Sequence, residues 1–366
     1  MPAPSSSPSQ TPDGPPGEPG APDTPGAARA PGTPDAPESP SPPGGLGLPL
    51  ARRHGAARVK TPGSGASSRR RNAKTLTKAW RHLLRWTGLT PIHLARETSR
   101  QRIASVDKQS QIRLLLDYQD RAADGRPLPP FEDTEFRSFS QNGEDGLLLY
   151  IFALIGFRSR CAVEVCASDG IQCNSANLII NHGFSALLVD GRERKLEEGR
   201  RFYEKCPEVT DNLPHLEHAW VTRDTIDGLI VKTGFEGEID LLSIDLDGVD
   251  YWIWSAIQSV RPRVVVAEYN RFFSADKSVT VAYRDDFSWP GTSQPGASLG
   301  ALVKLARQQG YRLVGCQRSQ FNAFFVHESE GQQWLPEVAP ETCLGRALLP
   351  EAEQQALLSA GPWVEV

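Results

Sequence analysis

Downstream of residue 160, short unbroken apolar runs alternate with segments of helical spacing. AVEVC (162–166) precedes NSANLIINHG, ALLVD (186–190) precedes ERKLEEGRRFY, and LEHAWV (216–221) precedes DTIDGLIVK. IDLLSID (239–245) precedes DYWIWSAIQSV, and RVVVAEY (263–269) leads through a long polar connection to SLGALVKLARQQG. Runs this uniformly apolar predict strands covered on both faces, and their alternation with helices predicts parallel pairing in a doubly wound α/β sheet. YRLVGC and NAFFVH follow one another closely enough for a hairpin, which predicts one antiparallel strand at the sheet's edge.

Upstream, KTLTKAWRHLLRW and DKQSQIRLLLDYQDRAA have helical spacing, and the Gly and Pro of DGRPLPPFED (124–133) interrupt it. From Met1 to about residue 72 the chain is Pro, Gly, Ala and Ser, with no aromatic before Trp80. Such a stretch buries too little apolar surface to offset its chain entropy, so disorder is expected. The predicted division is a disordered tail at 1–72, a helical N-terminal extension at 73–130, the α/β domain at 131–330 and a C-terminal extension at 331–366.

Composition narrows the classes. The 366 residues carry a formal net charge of -4, which argues against nucleic acid as a partner. The basic residues do cluster between Arg52 and Arg102, with no acid until Glu97, and a helix there either lies peripherally on an anionic membrane or is simply solvated. The longest apolar run, GLLLYIFALIGF, has 12 residues, short of the roughly 20 a transmembrane helix needs, so no transmembrane segment is expected. Six cysteines form no CxxC pair and several sit in apolar runs, which suits reduced thiols and a cytoplasmic location.

Ligands of open parallel sheets bind outside the carboxyl ends of the strands, so the residues there carry the candidate chemistry. Glu164, Cys166, Ser168, Asp169 and Gly170 follow the first strand, and Asp190 ends the second, 20 residues after Gly170. Asp245 and Asp247 follow the fourth, and Glu268, Tyr269 and Asn270 the fifth. At that spacing Asp190 is suited to accept from both hydroxyls of a ribose, or to cap the helix that begins near Arg192. With only Gly170 present, a pyrophosphate cradle is not expected. Asp250 is expected to cap the next helix and Asp247-Gly248 to form a turn, while in SQNGEDG (140–146) Asn142 with Asp145 reads as a cap for the helix that follows. Tyr251, Trp252 and Trp254 lie near the same rim, either as core or as a stacking surface. In HLEH, His215 and His218 point to opposite faces of a strand and make no metal pair.

SFSQNGEDGLLLYIF, VEVCASDGIQCNSANLIINHGFSALLVDG, DLLSIDLDGVDYWIW, PRVVVAEYN and GASLGALVKLARQQGYRLVGCQRSQFNAFFV together resemble the FkbM-type branch of class I S-adenosylmethionine-dependent methyltransferases, over residues 138–327. The resemblance implies a Rossmann-like methyltransferase fold of seven strands with an antiparallel last strand. It implies a cofactor whose methionine part lies over the Glu164–Gly170 turn, with Asp190 on the ribose and Ser140 or Gln141 near the methionine carboxylate. It places Asp245 beside the sulfonium methyl, where an acid orients the acceptor hydroxyl and removes its proton. The implied reaction is O-methylation of a sugar or small metabolite. The family's turn carries glycine where this chain has Cys166, so a non-catalytic module binding a glycan or protein stands as the alternative.

A second similarity is to catechol-type O-methyltransferases, which hold magnesium with carboxylates after the fourth strand and a carboxylate-amide pair after the fifth. Here Asp245, Asp247, Glu268 and Asn270 would supply those oxygens.

Overall fold

The computed structural model describes residues 106–209, 211–288, 296–345 and 347–366. The Pro-rich tail and the basic helix expected at 75–86 lie outside them. The second expected helix forms as α1 (Lys108–Ala123), started by Asp107, whose carboxylate accepts from the Gln109 and Ser110 N–H groups. It packs on α2 (Glu144–Ile155), a helix buried along nearly all its length.

The alternation then runs as expected: β1 (Cys161–Val165), α3 (Ala176–His182), β2 (Ser185–Asp190), α4 (Glu193–Tyr203), β3 (His215–His218), α5 (Ile226–Thr233), β4 (Gly237–Ile244), α6 (Asp250–Ala256) and β5 (Val260–Glu268). The connection after β5 contains a short strand, β6 (Val279–Val281), and leads to α7 (Leu299–Gln308), β7 (Tyr311–Cys316) and β8 (Asn322–His327). The chain closes with α8 (Glu351–Ala360) and β9 (Trp363–Glu365), which pairs with β6.

The main sheet has seven strands in the order β3-β2-β1-β4-β5-β8-β7. Strands β1 to β5 are parallel, and β8 runs antiparallel to both β5 and β7. This last strand of the sheet lies one place in from the edge, because β7 takes the outermost position. The chain builds outward from β1 to β3 and then resumes beside β1 with β4. The direction of winding therefore reverses between β1 and β4, and a crevice opens there at the carboxyl ends.

Strand parity explains the two-sided core. Val163, Val165, Leu187, Val189, Leu242 and Ile244 face one apolar layer with Ile226, Ile253 and Leu302 from the helices. Ala162, Leu188, Leu241, Val264 and Val266 face the other with Leu147, Ile151 and Leu178. Each fully buried aliphatic side chain contributes roughly 1.5–3 kcal/mol, which holds the strand ends in fixed register. Residues 331–366 add Leu335 and Cys343 to this core, and Tyr269 donates its hydroxyl to the Cys343 carbonyl at 2.6 Å. Among the described residues no helix is long and apolar enough to cross a membrane.

Candidate functional site

At the end of β1 the backbone turns sharply. Cys166 takes φ 67°, Ser168 56° and Gly170 68°, all in the left-handed region that favours glycine. The turn is pinned by Ala167 N–H donating to the Val189 carbonyl at 2.9 Å and Gly170 N–H to that of Ala167 at 2.8 Å. Burial raises the Cys166 thiol well above its usual range, and Asp190 and Asp245 add to the effect, so the group is a neutral thiol.

Asp190 is buried at the end of β2. Its Oδ2 accepts from Ser168 N–H at 2.8 Å and its Oδ1 from Arg192 N–H at 2.8 Å. The Arg192 guanidinium closes over it with a fork of bonds at 2.9 and 3.1 Å. Asp190 therefore stitches the first two strand-end turns together. It does not cap α4, whose N-cap position is Arg192 and carries no side-chain cap bond.

The acids after β4 and β5 converge because Ile244 pairs with Ala267, which sets Asp245 beside Glu268. Carboxylate oxygens of Asp245, Asp247 and Glu268 lie within 4.8 Å of one another. Burial, then the neighbouring negative charges, push Asp245 up to about 7 and Glu268 up to about 10. The two carboxyl groups are coupled, and the crowding of negative charge favours the pair holding a shared proton. Asp250 is the first residue of α6, behind Val249 at the N-cap, and its carboxylate reaches back to Leu246 N–H at 2.7 Å and Gly248 N–H at 3.0 Å. It thus ties down the loop that carries Asp247 instead of capping the helix as expected.

Two cavities open on this rim. One, of about 280 Å³, is walled by Asp190, Trp220, Leu246, Tyr283 and Phe287. The other, of about 450 Å³, is lined by Gln141, Glu164, Arg192, Asp245, Glu268 and Asn322, among others. Cys166 and Asp247 line both and stand at their junction. Together they reach the ~300–1,000 Å³ range of small-ligand sites, the first with an aromatic wall and the second strongly acidic.

Not every expected residue faces this space. Glu164 does, but its two oxygens are engaged by Asn174 N–H and Ser175 N–H, each at 2.8 Å, and by the Ser175 hydroxyl, so it shapes the loop after β1. Gly170 lines neither cavity; a side chain there would strike Leu188. Asn270 also lines neither, and its Oδ1 accepts from Phe272 N–H at 3.0 Å. Asn142 does not cap α2, because Gly143 holds that position; Glu144 and Asp145 instead accept from the N–H groups of Asn142, Gly143, Ser138, Phe139 and Ser140. Ser140 is occupied by Asp145 N–H, which leaves Gln141 on the cavity. Tyr251, Trp252 and Trp254 line neither space: Trp254 packs on Phe325 and Tyr311, and Trp252 donates to the Val281 carbonyl.

Sequence reasoning missed Arg192 as a contact of Asp190, and it missed Trp220, Tyr283 and Phe287 as a wall. Asn322 opens β8. Its position opposite Glu268 follows from the β5–β8 register.

The chain matches no protein-family model. It matches no curated protein sequence. Among solved structures it is similar to an S-adenosylmethionine-dependent methyltransferase from Clostridium acetobutylicum ATCC 824, at 11% identity over 48% of this chain and 87% of that one, with a TM-score of 0.32. It is similar to magnesium protoporphyrin IX methyltransferase from Synechocystis PCC 6803 with bound SAM, at 12% identity over 61% of this chain and 99% of that one, with a TM-score of 0.32. A third likeness is to the N-terminal domain of EvdMO1 with SAH bound, at 15% identity over 61% of this chain and 96% of that one, with a TM-score of 0.35.

Proposed function

We propose that the chain is an S-adenosylmethionine-dependent methyltransferase acting on a hydroxyl of a sugar or small metabolite. The observation that carries this reading is the pair of cavities joined at Cys166 and Asp247, over the point where the sheet's winding reverses. The aromatic-walled cavity suits a purine with its ribose toward Asp190, and the acidic one suits the cationic sulfonium and the acceptor.

In this reading Gln141 and the turn at Cys166 hold the methionine end, and Asp245 does the chemistry. S-adenosylmethionine held there would supply an electrophilic methyl group to the acceptor oxygen, with the neutral thioether S-adenosylhomocysteine as the leaving group. The hydroxyl proton passes to Asp245, whose raised affinity for a proton near neutral pH matches it to that task. Glu268, hydrogen-bonded to Asp245, holds it in place. The catalytic unit is assigned to residues 131–330.

Equilibrium dialysis with labelled S-adenosylmethionine tests the proposal: saturable binding is expected, and Asp190→Ala should abolish it. Absence of saturable binding to the full chain would rule it out. The second reading, a binding module without catalysis, is favoured by one observation: Arg192 already occupies Asp190 and a cysteine side chain stands at the cavity junction. Retention of a glycan on an array together with no cofactor binding would select it.

A further inference from the structure

The geometry points to a redox-active pair of thiols: Cys316, at the end of β7, and Cys343, in the C-terminal extension, form a reversible disulfide in the folded chain by exchange with a small soluble disulfide such as that of glutathione. The inference goes beyond methyl transfer and does not depend on it. Neither thiol lines the two rim cavities.

Contacts before, at and after the pair bring the two segments together. Val338 N–H donates to the Leu313 carbonyl at 2.9 Å, so the extension runs beside β7, the outermost strand. It then turns through a short 3₁₀ helix, Pro340–Cys343, that packs on β7. Tyr269, the residue after β5, pins this turn by donating its hydroxyl to the Cys343 carbonyl at 2.6 Å. Beyond the turn the extension stays close, because a side chain at Gly345 would strike the Gln320 amide. Cys343 belongs to the core cluster against which Cys316 packs. These anchors hold both cysteines at one place on the sheet, which a bond of fixed geometry requires.

The two thiols also differ in the way exchange needs. The Cys343 thiol, helped by the Tyr269 hydroxyl and opposed by burial, holds the Cys316 thiol below its ordinary range. Cys316 in turn, followed by burial, pushes Cys343 well above its own. A thiol shifts its neighbour in this manner only at close range. All six cysteines are among the described residues, and Cys161, Cys166, Cys173 and Cys206 are raised as well, which leaves Cys316 alone with increased thiolate character. Thiolate is the attacking form. Cys316 is partly exposed, whereas Cys343 is only 2% exposed, so a small disulfide reaches Cys316 first.

The exchange balances in two steps. The Cys316 thiolate attacks one sulfur of the small disulfide, forming a mixed disulfide and releasing one small thiolate. Cys343 then attacks the Cys316 sulfur, and its proton leaves with the second small thiol. The protein's two thiols are oxidised to one disulfide, and the small disulfide is reduced to two thiols.

The test incubates the full chain, without denaturant, in excess glutathione disulfide, quenches it with acid and maps the alkylated peptides by mass spectrometry. A Cys316–Cys343 linked peptide is expected, lighter by two hydrogens and reversed by dithiothreitol, while Cys166 and Cys173 stay reduced. Cys343→Ser should accumulate glutathione on Cys316, and Cys316→Ser should leave Cys343 unmodified. If either variant fails to fold, the wild-type map alone decides. Absence of the linked peptide would overturn the inference, as would its appearance only in urea, or equal modification of Cys343 in Cys316→Ser.

Discussion

Arg192 folds back over Asp190, with Nε 2.9 Å from Oδ1 and Nη2 3.1 Å from Oδ2. The guanidinium covers both Asp190 oxygens, so in the proposed binding mode a ribose would have to displace it. Its side chain is 59% exposed, which makes the pair worth at most about 1 kcal/mol. Arg192→Gln is therefore expected to tighten S-adenosylhomocysteine binding by up to about fivefold, measured by dialysis. Weaker binding in that variant would show that Arg192 contacts the ligand directly.

Cys166 holds φ 67° at the junction of the two cavities. Glycine there relieves roughly 1–2 kcal/mol of left-handed strain, largely offset by the entropy glycine adds to the unfolded chain. Cys166→Gly should leave stability within about 1 kcal/mol of wild type in urea melts and strengthen cofactor binding by removing a side chain from the junction. A larger loss of stability would mean that the packing of the thiol outweighs the backbone strain.

Gly199 places α4 against the turn after β1. A Cβ at this position would overlap the Asp169 carbonyl oxygen and press on Leu216. Gly199→Ala should cost more than about 2 kcal/mol by overpacking, and should loosen the Ser168 N–H bond to Asp190. Hydrogen exchange at Ser168 reads the second effect; unchanged protection would contradict it.

Arg263 sits buried between Asp240 and Glu330, at 2.8 and 2.7 Å, and also donates to the carbonyls of Ile155 and Gly156. Removing one partner of such a network strands the others, so Arg263→Met should destabilise the fold by about 3–5 kcal/mol. Chemical denaturation measures it. A change under about 1 kcal/mol would show that the acids are neutralised another way.

His182 is buried beside Phe157, with Nε2 2.8 Å from Gln111 Oε1, and burial followed by Lys108 and Arg160 pushes it down to about 4. The unfolded chain, near 6.5, binds the proton more readily than the folded one, so stability is lost as pH falls from 6.5 toward 4. Between pH 7 and 5 the loss from this group is roughly 2 kcal/mol. His182→Gln, which retains a donor for Gln111, should flatten that part of the pH–stability curve. An unchanged slope would reject the assignment.

Much of the fold was legible because it depends on local periodicity. Short unbroken apolar runs such as ALLVD, alternating with longer amphipathic segments, fit strands buried on both faces, and the spacing of ERKLEEGRRFY yields α4 over the same residues. The closing pair YRLVGC and NAFFVH reads directly as β7 and β8. Asp190, Asp245 and Glu268 were legible for the same reason, since each ends a strand whose limits the pattern marks. The caps were misassigned at Asn142 and Asp250 because the carboxylates of Glu144 and Asp250 reach back into the loops before their helices, and loop geometry, which set Gly143 at the N-cap position of α2, decides this.

By itself, then, the sequence determined the layered α/β architecture and the set of acids at the strand ends, because hydrophobic periodicity is a property of neighbouring residues. Only the tertiary structure decided which of those acids meet. Asn322 stands against Glu268, far away along the chain, through pairing of β8 with β5, and Asn270, two residues from Glu268, turns away. Arg192 reaches Asp190 by a side-chain rotamer, and Tyr283 and Phe287 reach the first cavity from a polar connection with no periodicity to read. Register and loop closure arise from burial summed over the whole chain, so contacts that depend on them cannot be read from any short stretch of it.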